Sequence, residues 1–96
     1  MSMYYIYIIT NTWNSVLYIG VTNNIYRRIL EHKKKINKGF ASKYNLSKLI
    51  YYEDTHSIIT AIEREKQLKR WHRKWKENLI HEANPDWKDL SYEIGI

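Results

Sequence analysis

Two apolar runs near the N-terminus, joined by a short polar segment, place the strongest constraint on how this chain can fold. The runs are YYIYIIT at 4–10 and VLYIGVT at 16–22, and both are rich in the β-branched and aromatic residues that favour strands. The segment NTWNS at 11–15 supplies Asn and Ser, which favour turns. Because so short a connection joins antiparallel neighbours, we expect a β-hairpin whose first strand is buried on both faces.

The middle of the chain combines a helix with a third strand. Apolar residues recur at helical spacing over 24–36, where Asn23 or Asn24 can cap the first turn. The segment 37–45 interrupts this pattern and is typical of a basic loop. A further strand is predicted over 48–53.

The remaining residues are predicted to be mainly helical. A long helical pattern covers 57–72, with hydroxyl residues available as caps, and a second helix over 73–83 stops at the Asn-Pro pair that follows. One more turn is expected over 86–90, capped by Asp86. The order β–β–α–β–α–α predicts an α+β fold, in which a small three-stranded, mainly antiparallel sheet is flanked by helices.

Length and composition narrow the class of protein. Ninety-six residues suit one domain, so we expect a single unit over 1–96. The chain has no cysteine, which excludes disulfides and thiolate metal sites. No apolar run approaches the roughly 20 residues that span a bilayer, and the N-terminus lacks the basic start of a signal peptide. We therefore expect a soluble cytoplasmic protein that does not bind membranes.

The charge indicates the kind of partner. Sixteen Lys and Arg against ten Asp and Glu give a formal net charge of +6 and a sequence pI of about 9.5. A domain this basic attracts polyanions, nucleic acid first among them, although solubility alone is the alternative explanation. Nine Tyr and four Trp suit contacts with bases and sugars, but core packing is the default explanation for most of them, and their number alone decides nothing.

Four polar side chains could meet at one place beside the hairpin. Arg28 and His32 are four residues apart on the first helix, so they project from one face and can contact one ligand together. Strand pairing can bring Tyr7 and Tyr18 near that helix. The alternatives are a solvated basic helix face and tyrosines that pack at the edge of the core.

Glu65 lies on the apolar side of the second long helix. At about 100° per residue, that sector is defined by Ile58, Ala61, Ile62, Leu68, Trp71 and Trp75. A buried carboxylate is unfavourable unless it is paired or bound to a metal. Glu65 is therefore either the partner of Arg28 in an ion pair or a ligand for a hard divalent cation facing a phosphate site. The pattern itself favours neither.

These residues together resemble the GIY-YIG nuclease superfamily. YIY at 5–7 and YIG at 18–20, with ten residues between them, are similar to its two-strand signature. Arg28 stands eight residues after the Gly of YIG, where the family has its catalytic arginine, and His32 fits a position held by His or Tyr. The segment AIEREKQLKRW resembles the later helix of the family, in a register that selects Glu65.

The resemblance covers nearly the whole chain and looks closest to the small single-domain bacterial branch, whose members often end in a segment like NPDW. The first Gly of the family name is replaced by Tyr5, and Val21 stands where some repair nucleases have Lys. The late Asn of the family corresponds to Asn84 or Asn78, and Asn84 is favoured as a supporting residue.

The resemblance implies a metal-dependent endonuclease that cuts phosphodiester bonds. Glu65 would bind one Mg²⁺ or Mn²⁺, and Arg28 would stabilise charge on the phosphoryl oxygens. Tyr7, Tyr18 or His32 would accept the proton of the attacking water, and the sequence leaves all three open.

Further residues would support such a site. A set of lysines beside it would follow the nucleic-acid backbone without reading sequence: Lys33, Lys34, Lys35, Lys38 and Lys43. Gly20, which has no side chain, would leave room for backbone or substrate beside Tyr18.

The expected partner is nucleic acid, with DNA favoured over RNA, as structured or single-stranded DNA in repair or recombination. So small a chain would take its specificity from DNA shape, a homodimer or a partner protein. Two other classes stay open. One is a non-catalytic nucleic-acid-binding module that retains the nuclease fold, and the other is a protein-interaction module using the Trp71, Trp75 and Trp87 surface. A zinc site is disfavoured because no two histidines have ligand spacing on one element.

Overall fold

The fold is built around an antiparallel sheet. The computed structural model describes residues 2–35, 39 and 43–96. Three strands form the sheet in the order β2–β1–β3, namely β1 (Tyr4–Thr10), β2 (Leu17–Thr22) and β3 (Lys48–Thr55). Both pairings are antiparallel, which confirms the hairpin and the predicted type of sheet. The central strand is β1, whose residues from Ile6 to Thr10 are all buried, as its continuous apolar run predicts.

Helices cover both faces of this sheet. The described part of the chain contains α1 (Ile25–Lys34), α2 (Ile58–Arg70), α3 (Arg73–Ala83) and a short 3-10 helix (Leu90–Ile94). The order β–β–α–β–α–α and the α+β class are thereby confirmed. None of the helices in the residues that the structure describes is long and apolar enough to cross a bilayer.

Side-chain alternation along β1 divides the core into two layers. Ile6 and Ile8 face α2 and α3, where they pack with residues such as Leu68. Tyr7 and Ile9 face the opposite side and pack against α1 and the segment before β3. Tyr7 is therefore held between the sheet and α1.

The caps of the helices follow the sequence. The Asn24 side chain accepts a hydrogen bond of 3.0 Å from the backbone N–H of Arg27, and Ser57 caps α2 in the same way. The first helix is shorter than predicted, because Lys35 has a left-handed φ of 54° and ends it. The predicted basic loop at 37–45 lies largely outside the described residues.

The last helical turn was misplaced by the sequence prediction. It begins at Leu90, and Asp89 rather than Asp86 caps it, accepting a 3.0 Å hydrogen bond from the backbone N–H of Ser91. The reason is the residue before Pro85: the amide of Asn84 bonds the backbone of Lys88 at both its N–H and its carbonyl, which holds the intervening residues in a loop.

The apolar sector predicted for the second long helix is only partly buried. Ala61 and Leu68 are fully buried, whereas Ile58 and Ile62 are 42% and 37% exposed. Trp75 belongs to a different helix, because α2 ends at Arg70 and α3 begins at Arg73 after two residues of non-helical backbone. The predicted sector from Ile58 to Trp75 assumed one continuous helix, so its assignment of Trp75 to the same face is wrong.

A long-range clamp fixes the hairpin turn. The guanidinium of Arg73, at the start of α3, donates hydrogen bonds of 2.6 Å and 2.8 Å to the carbonyls of Asn14 and Ser15. The same guanidinium bonds Glu77 one helical turn away. The clamp fixes the turn between β1 and β2 relative to the helical layer.

Candidate active site

The hydroxyl of Tyr7 is the centre of a buried polar cluster. The side chain comes from the middle of the central strand and is only 1% exposed. Its oxygen lies 3.1 Å from Nε2 of His32, and Nε of Arg28 donates a hydrogen bond of 3.3 Å to it. Because α1 presents Arg28 and His32 one turn apart, both reach the same oxygen.

Gly20 makes this position of Tyr7 possible. The two residues are directly paired across β1 and β2. A Cβ at position 20 would lie 2.3 Å from the Tyr7 hydroxyl oxygen and 2.4 Å from Cζ. The sequence predicted that Gly20 makes room beside Tyr18, but the structure shows that the room is taken by the ring of Tyr7.

Tyr18 completes a group of three rings. Its ring centroid lies 6.5 Å from that of Tyr7 and 6.0 Å from that of His32, and the Tyr7 and His32 centroids are 5.7 Å apart. Tyr18 is half-buried on the edge strand β2, whereas Tyr7 is fully buried. The sequence therefore placed both tyrosines beside Arg28 and His32, as the structure does.

Burial and charge set the protonation states in the cluster. Burial raises the pKa of Tyr7, and the hydrogen bond from Arg28 offsets this only in part. Burial, followed by the positive charge of Arg28, lowers the pKa of His32 below its ordinary value of 6.5. At neutral pH the cluster therefore holds a phenol and an uncharged imidazole.

Arg28 remains a cation under all relevant conditions. Its hydrogen bond to Tyr7 raises the pKa of the guanidinium, and burial opposes this without reversing it. A second contact joins Nη1 to the Glu31 carboxylate at 3.4 Å. Because a guanidinium only donates, the Tyr7 oxygen accepts from Arg28, and the Tyr7 proton is then available to Nε2 of His32.

Glu65 approaches the same region from the other helical layer. Burial is the main cause of the raised pKa of Tyr7, and Arg28 opposes it. The Glu65 carboxylate adds a smaller contribution that also raises this pKa. The side chain is 19% exposed, and its Oε2 lies 3.4 Å from Nζ of Lys69 one turn later. Within the described ranges no ion pair joins Glu65 to Arg28, so the proposed fastening pair is wrong and Lys69 takes that place.

Residues 3–78 match the family model described as the GIY-YIG catalytic domain. The chain belongs to the GIY-YIG family. The match includes every residue of the cluster around Tyr7 as well as Glu65, and it ends within α3. GIY-YIG domains form a superfamily of nucleases, so a nuclease-type enzyme acting on nucleic acid is the general class.

Small proteins of similar length are related to this chain along most of its sequence. A UPF0213 protein of Staphylococcus haemolyticus is 35% identical over 86 residues, covering 85% of this chain and 99% of that protein. A UPF0213 protein of Syntrophus aciditrophicus is 36% identical over 91 residues, covering 90% and 98%. The solution NMR structure of a UPF0213 protein from Bacillus halodurans matches with a TM-score of 0.59 at 23% identity, covering 92% and 93%, and shares the fold.

GIY-YIG nucleases generally depend on a divalent metal, and the described part of this chain offers few donors for one near the cluster. Among the residues that the structure describes, no three His, Asp or Glu side chains are grouped closely enough to form a complete cage. A single half-buried carboxylate suits Mg²⁺ or Mn²⁺ nevertheless, because Mg²⁺ keeps several waters and is often held by one or two carboxylates with substrate phosphates. Glu65 fits such a shared site.

The predicted lysine set divides into different environments. Nζ of Lys33 bonds the Asp89 carboxylate at 2.6 Å and the carbonyl of Ser47 at 3.0 Å, so this lysine fastens α1 to the C-terminal segment. Lys34 and Lys35 are exposed at the end of α1. The remaining two are Lys43, whose Nζ lies 5.6 Å from the Tyr44 ring centroid, and Lys38, which is outside the described residues.

Asn84 has a structural position. Its Nδ2 donates to the carbonyls of Ile50 at 3.0 Å and Lys88 at 2.9 Å, and its Oδ1 accepts from the N–H of Lys88 at 3.1 Å. The side chain is buried and ties the C-terminal loop to β3. Any support that it gives the GIY-YIG site is exerted through the backbone.

Three charged residues near the site were missed by the sequence analysis. Glu31 bonds Arg28, Lys69 bonds Glu65, and Lys76 lines a depression of about 250 Å³ together with Lys69 and Tyr18. The first two could have been found, since they stand three or four residues from their partners on one helix. Lys76 could not, because its position depends on the angle between α2 and α3.

Proposed function

We propose that this GIY-YIG protein is a divalent-metal-dependent endonuclease that hydrolyses phosphodiester bonds in DNA. The observation that carries the proposal is the Arg28–Tyr7–His32 hydrogen-bonded set, with the Glu65 carboxylate acting on it from a second helix. A buried phenol between a fixed cation and a neutral imidazole is unusual for a merely structural core. It suits a site where a proton moves beside a phosphate.

Glu65 would hold Mg²⁺ or Mn²⁺. When bound, such an ion polarises the scissile phosphate and stabilises the leaving oxygen. The contribution of the chain is a single carboxylate that leaves the other positions to water and phosphate oxygens.

Arg28 would bind the phosphoryl oxygens. Its guanidinium is a permanent cation, held in direction by Tyr7 and Glu31. Charge that develops on the phosphoryl oxygens is stabilised most by donors that are already oriented. This role requires the guanidinium rather than any positive charge, because its planar fork can donate two hydrogen bonds to one phosphate.

Tyr7 and His32 would move the proton together. The phenolic oxygen accepts a proton from the attacking water while its own proton passes to Nε2 of His32, 3.1 Å away. The raised pKa of Tyr7 disfavours a free phenolate, and the transfer to His32 avoids forming one. Tyr18, half-buried beside both rings, would orient the water or the phosphate.

DNA is the substrate that we favour over RNA, with structured or single-stranded forms suited to repair or recombination in the cytoplasm. The net charge of +6 supports attraction to the nucleic-acid backbone. Since backbone contacts carry no sequence information, specificity would come from DNA shape, from a homodimer or from a partner protein.

A cleavage panel tests the proposal. Single-stranded, duplex and branched DNA, with matched RNA, are incubated with Mg²⁺, Mn²⁺ or EDTA. We expect metal-dependent cleavage that is lost in Arg28→Ala and in Glu65→Ala and retained in Arg27→Ala. Arg27 is the matched control because it is the exposed neighbour of Arg28 on the same helix.

Cleavage that survives both Arg28→Ala and Glu65→Ala would refute the assignment. Absent cleavage together with tight DNA binding would instead favour a non-catalytic binding module on the same fold. Cleavage that persists in EDTA would refute the metal requirement.

A further inference from the structure

Lys69 holds the carboxylate that the metal would need. The two side chains are one turn apart on α2, and Nζ of Lys69 lies 3.4 Å from Oε2 of Glu65. The Glu65 side chain is mostly buried, whereas 51% of the Lys69 side chain is exposed. A divalent cation bound to Glu65 would therefore compete with the Lys69 ammonium for the same oxygens.

The Lys69 ammonium also borders a place where it could bind another anion. Lys69 and Lys76 line a depression beside the edge strand β2, together with Leu17, Tyr18 and Ile19 of that strand. Two lysines beside the residues of this strand offer positive charge for a phosphate and apolar surface for a sugar. Tyr18 belongs both to the lining of this depression and to the ring cluster around Tyr7, so strand β2 connects the two places.

We propose that Lys69 is an exchangeable counter-ion. Glu65 holds its ammonium until a divalent cation takes the carboxylate, and the released Lys69 then joins Lys76 in binding a phosphate of the nucleic-acid strand along β2. This inference rests on the proposed nuclease function and adds a second phosphate subsite to it.

The exchange couples two binding events. A partly exposed ion pair is weak, so a divalent cation can replace it without a large rearrangement. Metal bound at Glu65 raises the affinity for nucleic acid by freeing Lys69, and by linkage the nucleic acid raises the affinity for metal by the same factor. The metal ion and the nucleic acid would thus bind cooperatively.

A mutant cycle in the absence of metal isolates the release of Lys69. Binding of a short single-stranded DNA is measured by fluorescence anisotropy in EDTA at low salt. Glu65→Gln removes the partner of Lys69, and Glu63→Gln is the matched control, since it removes the same charge from the groove on another side of α2. We expect Glu65→Gln to tighten binding about threefold to fivefold more than Glu63→Gln, the range for one weak ion pair.

The same comparison in a Lys69→Met background tests whether Lys69 is responsible. There we expect Glu65→Gln and Glu63→Gln to have equal effects. Equal effects in the wild-type background, or an excess that persists without Lys69, would overturn the proposal.

Metal binding provides an independent readout. Mn²⁺ affinity is measured by electron paramagnetic resonance without nucleic acid, and Lys69→Met should bind about threefold more tightly than wild type because the competing ammonium is gone. Lys66→Met is the control, because Lys66 is an exposed lysine on the same helix that lines a different groove. An equal gain in both variants would overturn the exchange and leave only a general charge effect.

The two proposals fail in different ways. A protein that shows the Lys69-dependent excess and binds Mn²⁺ but cuts no nucleic acid would contradict the nuclease function alone. A protein that cuts through Arg28 and Glu65 but shows no Lys69-dependent excess would contradict the exchange alone.

Discussion

The phenol of Tyr7 fills the space in front of Gly20, so that a Cβ at position 20 would lie 2.3 Å from the Tyr7 hydroxyl oxygen. Real Cβ atoms do not approach other heavy atoms so closely, and the ring is enclosed by α1 on its other side. The glycine of the YIG segment is therefore needed for its size, and it acts through the tyrosine of the preceding strand.

Gly20→Ala should destabilise the fold and abolish cleavage, because Tyr7 must move out of its hydrogen bonds. We expect a loss of about 1–3 kcal/mol in the free energy of unfolding, as for overpacked cores, measured by urea unfolding. Tyr7→Leu removes the atoms that meet the new Cβ, so Gly20→Ala should have little further effect in that background. An equal loss in both backgrounds would contradict this explanation.

Tyr7→Phe should lower metal-dependent cleavage by about 10² to 10⁴, the range for losing a proton-transfer group. Tyr18→Phe is the matched control, since it removes the same hydroxyl from the neighbouring strand and leaves the Tyr7–His32 bond intact. Initial rates at saturating DNA, with Mn²⁺ affinity measured in parallel, separate loss of chemistry from loss of metal. A smaller effect for Tyr7→Phe than for Tyr18→Phe would reverse the two roles.

Stability should fall in mild acid because of His32. Burial and the charge of Arg28 hold its folded pKa below the ordinary value of 6.5, so the unfolded chain binds the proton more readily. The free energy of unfolding is therefore expected to decrease as the pH falls from about 6.5 towards the folded pKa, and to level off below it. Urea midpoints between about pH 7.5 and pH 5.5 measure this slope, which His32→Gln should reduce.

The Glu53 carboxylate acts in a lower pH range and does not obscure this slope. Burial tends to raise the pKa of Glu53, but hydrogen bonds from Arg64 hold it below its ordinary value of 4.5. Its stabilising contribution is therefore present at neutral pH and is lost only below about pH 5. His81→Gln, which changes an exposed histidine on α3, is the matched control for His32→Gln. An equal loss of slope in His81→Gln would contradict the assignment to His32.

Substitutions of the adjacent residues Lys33 and Lys34 should affect different properties, namely stability and DNA binding. Lys33→Ala removes both the ion pair with Asp89 and the bond to Ser47, so we expect a loss of about 1–2 kcal/mol in the free energy of unfolding. Lys34→Ala, at an exposed position, should leave stability unchanged and weaken DNA binding at low salt. Unfolding and anisotropy measurements on both variants check this, and equal stability would contradict the structural role of Lys33.

Much of the fold could be predicted because local signals decided it. The hairpin follows from two β-rich runs and a five-residue connection, and the starts of α1 and α2 follow from Asn24 and Ser57, whose side chains cap a free N–H. Asp89 could not be chosen over Asp86, since the choice depends on where the buried amide of Asn84 anchors the loop. Likewise, the exposure of Ile58 and Ile62 depends on tertiary packing, which helical periodicity does not specify.

The sequence predicted which residues gather at the candidate site, but not which of them contact one another. Helical spacing put Arg28 with His32, and the strand signature put Tyr7 near Tyr18. Which residue Gly20 accommodates depends on the register of the strands, which pairs it with Tyr7. The partner of Glu65 depends on which cationic side chain lies nearest to it in the folded structure. That side chain is Lys69, one turn later on the same helix.

The clamp made by Arg73 bears on how the chain acquires its structure. Its two hydrogen bonds join residues that are 58 and 59 positions apart in sequence. A contact of such high sequence separation has to wait for a large loop to close, so it forms late compared with the local hairpin. The turn between β1 and β2 would then close early through the local hydrogen bonds between Asn11 and Ser15, and its attachment to the helical layer would form only when α3 docks. In hydrogen exchange, the amides of the turn and those of the first turn of α3 should consequently open as one cooperative unit.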